Sequence, residues 1–170
     1  MGDSTLLGDV SMSFIIGAYA SAPSLFSNDQ IQEEIFYELL KERLKSIKGL
    51  EIPFNGENIH NFGNDFLIRL LEDEWSNVIT AVPASFMNLK TNKHFGLASD
   101  NKDGRDLALS CHEKLNDIVK EINDKKGKSC ISHIQLCSSP SFPLKDVSSS
   151  ENSLLSSLEK ITTWDWDGAS

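Results

Sequence analysis

Four short apolar segments begin near residues 13, 50, 77 and 130 of this 170-residue chain, and each is followed by a stretch with helical spacing or a loop leading into one. The first, Ser13–Ala20 (SFIIGAYA), runs without polar alternation into a small-residue loop closed by Pro23. An unbroken apolar run bounded by turn residues reads as a strand buried on both faces. Strands that alternate with helices restrict the chain to an α/β fold with a parallel sheet, each crossover right-handed.

The intervening segments fit that frame. Asn28 or Asp29 offers a helix N-cap, and Ile31, Ile35, Leu39 and Leu40 recur at helical spacing. These apolar residues are expected to face the core, with Glu33, Glu34, Lys41 and Glu42 in water and Gly49 as the C-cap. Leu50–Phe54 reads as a second strand and Phe66–Leu71 as a short helix. Asn77–Val82 reads as a third strand stopped by Pro83. Ala84–Asp103 has no convincing period and reads as a long loop, a feature often tied to function. Leu107, Cys111, Leu115, Ile118 and Ile122 stripe the next helix, Cys130–Cys137 is the fourth strand, and Asn152–Thr163 is the last helix. Phe142, Leu144 and Val147 are expected to anchor the Ser-rich loop between them. Trp164–Asp167 reads as an aromatic-anchored helix end.

Net charge is −9 with a pI near 4.8, and no Lys/Arg stripe is present, which argues against nucleic acid and anionic membrane surfaces as partners. No stretch approaches the roughly 20 apolar residues of a membrane span. Residues 1–12 have neither the basic start nor the apolar core of a secretory signal and read as a disordered extension. Cys111, Cys130 and Cys137 are odd in number and lack metal-ligand spacing, so they read as reduced thiols of a cytoplasmic protein.

In parallel α/β folds the site lies at the carboxyl ends of the strands. That rule selects Tyr19 after the first strand, Glu51 on the second, Gln135 on the fourth, and His60 and His94 on the loops. Glu51 is the candidate catalytic group: a carboxylate among apolar strand residues must be paired, hydrogen-bonded or protonated, and serves either as an acid or base or as a structural partner. Tyr19, His60, His94 and Gln135 are the candidate substrate-binding residues. His133, mid-strand among apolar neighbours, reads as a core histidine. No metal motif, Walker A loop, GxGxxG or GxSxG is present, and no cofactor is expected in this chain.

The segments SFIIGAYASAPS, GLEIPFNGENIHNFG, EWSNVITAVP, NKHFGLASDN, QLCSSPS and WDWDGA, taken in order, resemble a family of uncharacterised bacterial proteins with xylose-isomerase-like (β/α)₈ barrels. The resemblance implies that residues 13–170 are the N-terminal half of such a barrel, a parallel (β/α)₄ unit with strand order 1-2-3-4. It implies a sugar or sugar-phosphate ligand and isomerase or epimerase chemistry in full-length relatives, with a divalent metal held mainly by later strands. The expectation is a truncated chain, inactive by itself, that self-associates through exposed sheet edges. The competing reading is a non-catalytic flavodoxin-like module that binds a ligand or protein, with strand order 2-1-3-4.

Overall fold

The computed structural model describes residues 14–140 and 145–169. The expected N-terminal extension, Phe142 and Leu144 lie outside the described residues. Four strands form one parallel sheet: β1 (Phe14–Ile16), β2 (Ile47–Pro53), β3 (Asn77–Thr80) and β4 (Ile131–Gln135), in the order β1-β2-β3-β4. The 2-1-3-4 order of a flavodoxin-like sheet is therefore wrong for this chain, because β2, not β1, pairs with β3. Five α-helices are described: α1 (Gln30–Arg43), α2 (Asn64–Leu70), α3 (Val82–Leu89), α4 (Lys102–Lys126) and α5 (Glu151–Thr162). None of the described helices is long and apolar enough to cross a membrane.

One sheet face is covered and the other is open. Leu50, Ile52, Ile79 and Ile131 are buried in a single apolar cluster with Tyr37 of α1, Phe66 and Leu67 of α2, and Leu115, Val119 and Ile122 of α4. The opposite face carries Ile15, Glu51, Val78, His133 and Gln135, all half-buried or exposed. This follows from the two-residue period of strands, which sends alternate side chains to opposite faces. His133 is thus exposed rather than a core histidine, and its Nδ1 lies 2.9 Å from Ser132 Oγ.

Several elements differ from their sequence reading for identifiable reasons. β1 is three residues long, and Ala18–Ser21 coils into a 3₁₀ turn. Phe14 and Ile15 are 52% and 46% exposed, so this strand is not buried on both faces. Among the described strands it pairs on one side only, with β2. α1 ends at Arg43, and Gly49 belongs to β2 rather than capping the helix. Its glycine is required by close approach: a Cβ there would lie 2.1 Å from the Ser76 carbonyl oxygen. Pro83 opens α3 rather than closing a strand into a loop, since proline fits the first turn of a helix, where no N–H is needed.

The largest departure is the rotation of α1. Glu33 and Tyr37 face inward, whereas Ile31, Ile35 and Leu39 face out. Periodicity assumes that carboxylates seek water. Here the interior supplies Glu33 with three donors instead, and a buried carboxylate is tolerated when its lone pairs are met.

Asn77 ties the sheet together at the start of β3. Its Oδ1 accepts from the Leu50 N–H at 2.9 Å and its Nδ2 donates to the Cys130 carbonyl at 3.1 Å, so one fully buried amide bridges the strands on either side. Asn77→Ala would leave the Leu50 N–H and the side-chain bond to Cys130 unmet in the core. We expect a loss of about 1–3 kcal/mol of unfolding free energy, read from urea denaturation. An unchanged midpoint and slope would contradict the bridge.

Candidate functional site

The turn after β1 and the strand β2 bring Tyr19 and Glu51 together. Glu51 projects from β2 on the open sheet face, half-buried, in register with Val78 of β3 and, across β3, with His133 of β4. Gly17 lies against it: a Cβ at that position would come within 2.8 Å of Glu51 Oε2, so only glycine leaves the carboxylate its place. Tyr19, on the 3₁₀ turn after β1, donates from its hydroxyl to Glu51 Oε1 across a long 3.5 Å contact. Burial, then the neighbouring Glu51 charge and this hydrogen bond, push the Tyr19 pKa up. Tyr19 therefore stays a phenol and a donor through the neutral range.

One row further along the strands, Pro53, Thr80 and Gln135 are in register. Gln135 is exposed, while Thr80 is buried and its Oγ1 accepts from the Val82 N–H at 3.4 Å. The open face thus presents a carboxylate, an imidazole and a carboxamide, with a phenol at one end. All can donate to or accept from hydroxyl groups.

His60 is placed otherwise than its loop suggests. It is 9% exposed and lies under the rim. Its Nδ1 accepts from the Phe62 N–H at 3.1 Å, which puts the ring proton on Nε2, and Nε2–H donates to Glu33 Oε1 at 2.9 Å. With both nitrogens engaged, the ring offers neither to a ligand. It is stacked instead beside Phe66, with centroids 4.8 Å apart. Glu33 also accepts from the Ser24 N–H at 2.7 Å and the Ser24 hydroxyl at 2.9 Å. These contacts join the turn after β1, α1 and the loop after β2. Between them lies a cavity of about 180 Å³, lined by Tyr19, Ser24, Glu33, Asn55, His60 and Asn61 among others.

His94 does not line that cavity. It is half-buried before α4, where its backbone N–H donates to Asn92 Oδ1 at 3.0 Å and its carbonyl presses on Gly104. The structure therefore brings Tyr19, Glu51 and His60 to one end of the sheet, sets Gln135 across it, and leaves His94 apart. Glu33 is the residue that sequence reasoning missed. Its partner His60 is 27 positions away, and no local pattern announces the pairing. Among the described residues no three His, Cys, Asp or Glu side chains gather as a metal-binding group. The Cys111 and Cys130 thiols are buried and their pKa values are raised by that burial.

Burial pushes the His60 pKa below its ordinary value, outweighing the opposing pull of Glu33. Burial does the same to His112 on α4, whose Nδ1–H donates to the Ala108 carbonyl at 2.7 Å and whose Nε2 has no hydrogen-bond partner among the described residues. The unfolded chain then binds protons at these sites before the folded one does, so the folded state is fully stabilised above the ordinary histidine value of 6.5. That contribution is lost as pH falls from there through the lowered folded-state values. Urea midpoints are expected to fall between neutral pH and about pH 5. Histidine NMR titration should find the His60 and His112 rings titrating below the ordinary value. If either His60 or His112 titrated above the ordinary value, the assignment would be wrong. Glu33→Gln turns one of the two accepting oxygens into an NH2 that faces a donor, and should cost about 1–3 kcal/mol at neutral pH.

A family model described as Domain of unknown function (DUF4862) matches residues 15–170. An uncharacterised protein of Salmonella typhimurium strain LT2 is 29% identical over 153 residues, which make up 90% of this chain and 48% of that protein. The chain thus spans about half the length of the curated relative it matches. No solved structure matches.

Proposed function

The chain belongs to the DUF4862 family, and we propose that the open face of its sheet is one wall of a site for a small hydroxylated molecule, a sugar or sugar phosphate. The observation that carries this reading is the uncovered polar face at the carboxyl ends of a parallel sheet, with Glu51, His133 and Gln135 in adjacent registers. Ligands of parallel α/β folds bind at that end. A sequential 1-2-3-4 sheet with helices on one face is also the arrangement found in half of a (β/α)₈ barrel, which supports the xylose-isomerase-like reading.

The reaction class proposed is isomerisation or epimerisation of a hydroxy-carbonyl sugar. Glu51 is the acid–base group. It takes a proton from a carbon bearing a hydroxyl, holds it as a neutral carboxylic acid and returns it to the substrate, and the Tyr19 phenol orients the carboxylate before the first transfer. Gln135 and His133 hold substrate hydroxyls. The described residues form no three-ligand metal group, so no step is assigned to a metal. Turnover is proposed for the full-length arrangement of the family, and this chain contributes binding.

The test is an amide NMR titration of the chain with aldoses, ketoses and their phosphates. Shifts are expected at Tyr19, Glu51, Thr80 and Gln135. Glu51→Gln should weaken binding about tenfold, the loss of one charge-assisted hydrogen bond. Saturable shifts elsewhere, or equal affinity in the variant, would remove Glu51 from the site.

A further inference from the structure

The cavity beside Tyr19 is walled by two asparagines whose amides the surrounding backbone has already oriented. Asn55, just past β2, accepts the Glu57 N–H at 3.0 Å and the Asn58 N–H at 2.8 Å on Oδ1. Two donors converge on that atom, so the other arm of the amide is the NH2, and it has no partner among the described residues. Asn61, on the same loop, donates from Nδ2 to the Ser24 carbonyl at 3.2 Å, and its Oδ1 has no partner among the described residues. Both side chains line the cavity. They offer one fixed pair of donor hydrogens and one fixed acceptor next to the Tyr19 hydroxyl. A hydroxyl group, which donates one hydrogen and accepts on two lone pairs, satisfies both kinds.

The charge of this wall is one-sided. Glu33 is part of it, fully buried, and Tyr19 links it to the half-buried Glu51. His60 adds no positive charge at neutral pH, since burial lowers its pKa. No Lys or Arg is among the residues that line the cavity. Pro53, Ile59 and Pro83 complete the lining with apolar surface, which suits the C–H groups of a carbohydrate. A phosphate group at neutral pH carries about −1.5 to −2 charges and its oxygens are strong acceptors, so it is held by Arg, Lys or backbone N–H donors. Here it would meet two carboxylates in a partly desolvated space.

Resting on the reading of this sheet end as a site for a hydroxylated molecule, we infer that the cavity receives an uncharged, hydroxyl-bearing end of the ligand, so that the site takes a free sugar and not its phosphate. Asn55 and Asn61 set that preference. NMR titration of the whole chain tests it, with pentoses and hexoses each beside its own terminal phosphate, and with inorganic phosphate alone. The signals followed are the side-chain NH2 groups of Asn55 and Asn61 and the backbone amides of Glu51 and Gln135. Free sugars should move all four. Their phosphates should bind at least about tenfold more weakly at about 0.15 M salt, and inorganic phosphate should move none. Asn55→Asp keeps the oxygen that holds the Glu57 and Asn58 N–H groups but turns the NH2 into a charged acceptor. It should retain the urea midpoint and weaken free-sugar binding about tenfold. Asn61→Lys, at an exposed position, places a cation on the rim and should tighten phosphate binding relative to free sugar about tenfold. Equal or tighter binding of the phosphates by the unaltered chain overturns the preference and leaves the sugar site standing. Shifts at Glu51 and Gln135 with both asparagine signals unmoved place the sugar outside the cavity and overturn it likewise. Silence of all four residues toward every sugar removes the site itself, and the preference with it.

Discussion

Glu33 carries a carboxylate to a place where water does not reach, and three protein donors meet it there. Ser24 supplies its backbone N–H and its hydroxyl, and His60 supplies Nε2–H. A buried carboxylate without these bonds would cost several kcal/mol, so α1 can lie on the sheet only in the rotation that brings Glu33 to them. That rotation has two consequences. It closes the floor of the cavity beneath Tyr19 and Asn55. It also turns Ile31, Ile35 and Leu39 out of the core, so the helix presents apolar surface where an ordinary amphipathic helix would present charge.

The sheet beneath obeys a second constraint, tight backbone packing at its amino end. Gly49 admits the Ser76 carbonyl against β2, and the Ser76 N–H donates to the Lys48 carbonyl at 2.8 Å. Asn77, next in sequence, bridges to β2 and β4 through its side chain. Asn123 of α4 repeats the device: its Oδ1 accepts from the Cys130 N–H at 2.9 Å and its Nδ2 donates to the Asp167 carbonyl at 3.1 Å. Asn116, two turns earlier, donates to the Asp165 carbonyl at 2.7 Å. Buried asparagines thus hold the start of β4 and the Trp164–Asp167 segment to one helix. This is why that segment forms an aromatic-anchored helix end and not a loose tail.

How much was legible varies with the kind of signal. The strands near residues 50, 77 and 130 show as apolar runs, and α4 shows as a long stripe, because its buried residues Ala108, Cys111, Leu115, Ile118, Val119 and Ile122 follow the helical period over about four turns. Tyr19 and Glu51 were reachable because a parallel sheet puts its site at the strand ends, whatever the sequence. α3 was hidden because Pro83 signals equally a strand's end and a helix's first turn. The placement of His60 was hidden because a polar loop sequence does not disclose whether the loop folds back under a helix.

The sequence by itself determined a parallel α/β architecture and the order of its elements, since apolar runs and helical periods are properties of neighbouring residues. It also placed the candidate site at one end of the sheet. Tertiary structure decided which side of α1 is inside, which sheet face stays open, and that His60 is engaged at both nitrogens. These depend on partners many residues apart, Glu33 with His60 and Asn77 with Leu50 and Cys130. A buried polar group is stable only when a distant donor or acceptor arrives to meet it, and local spacing does not carry that information.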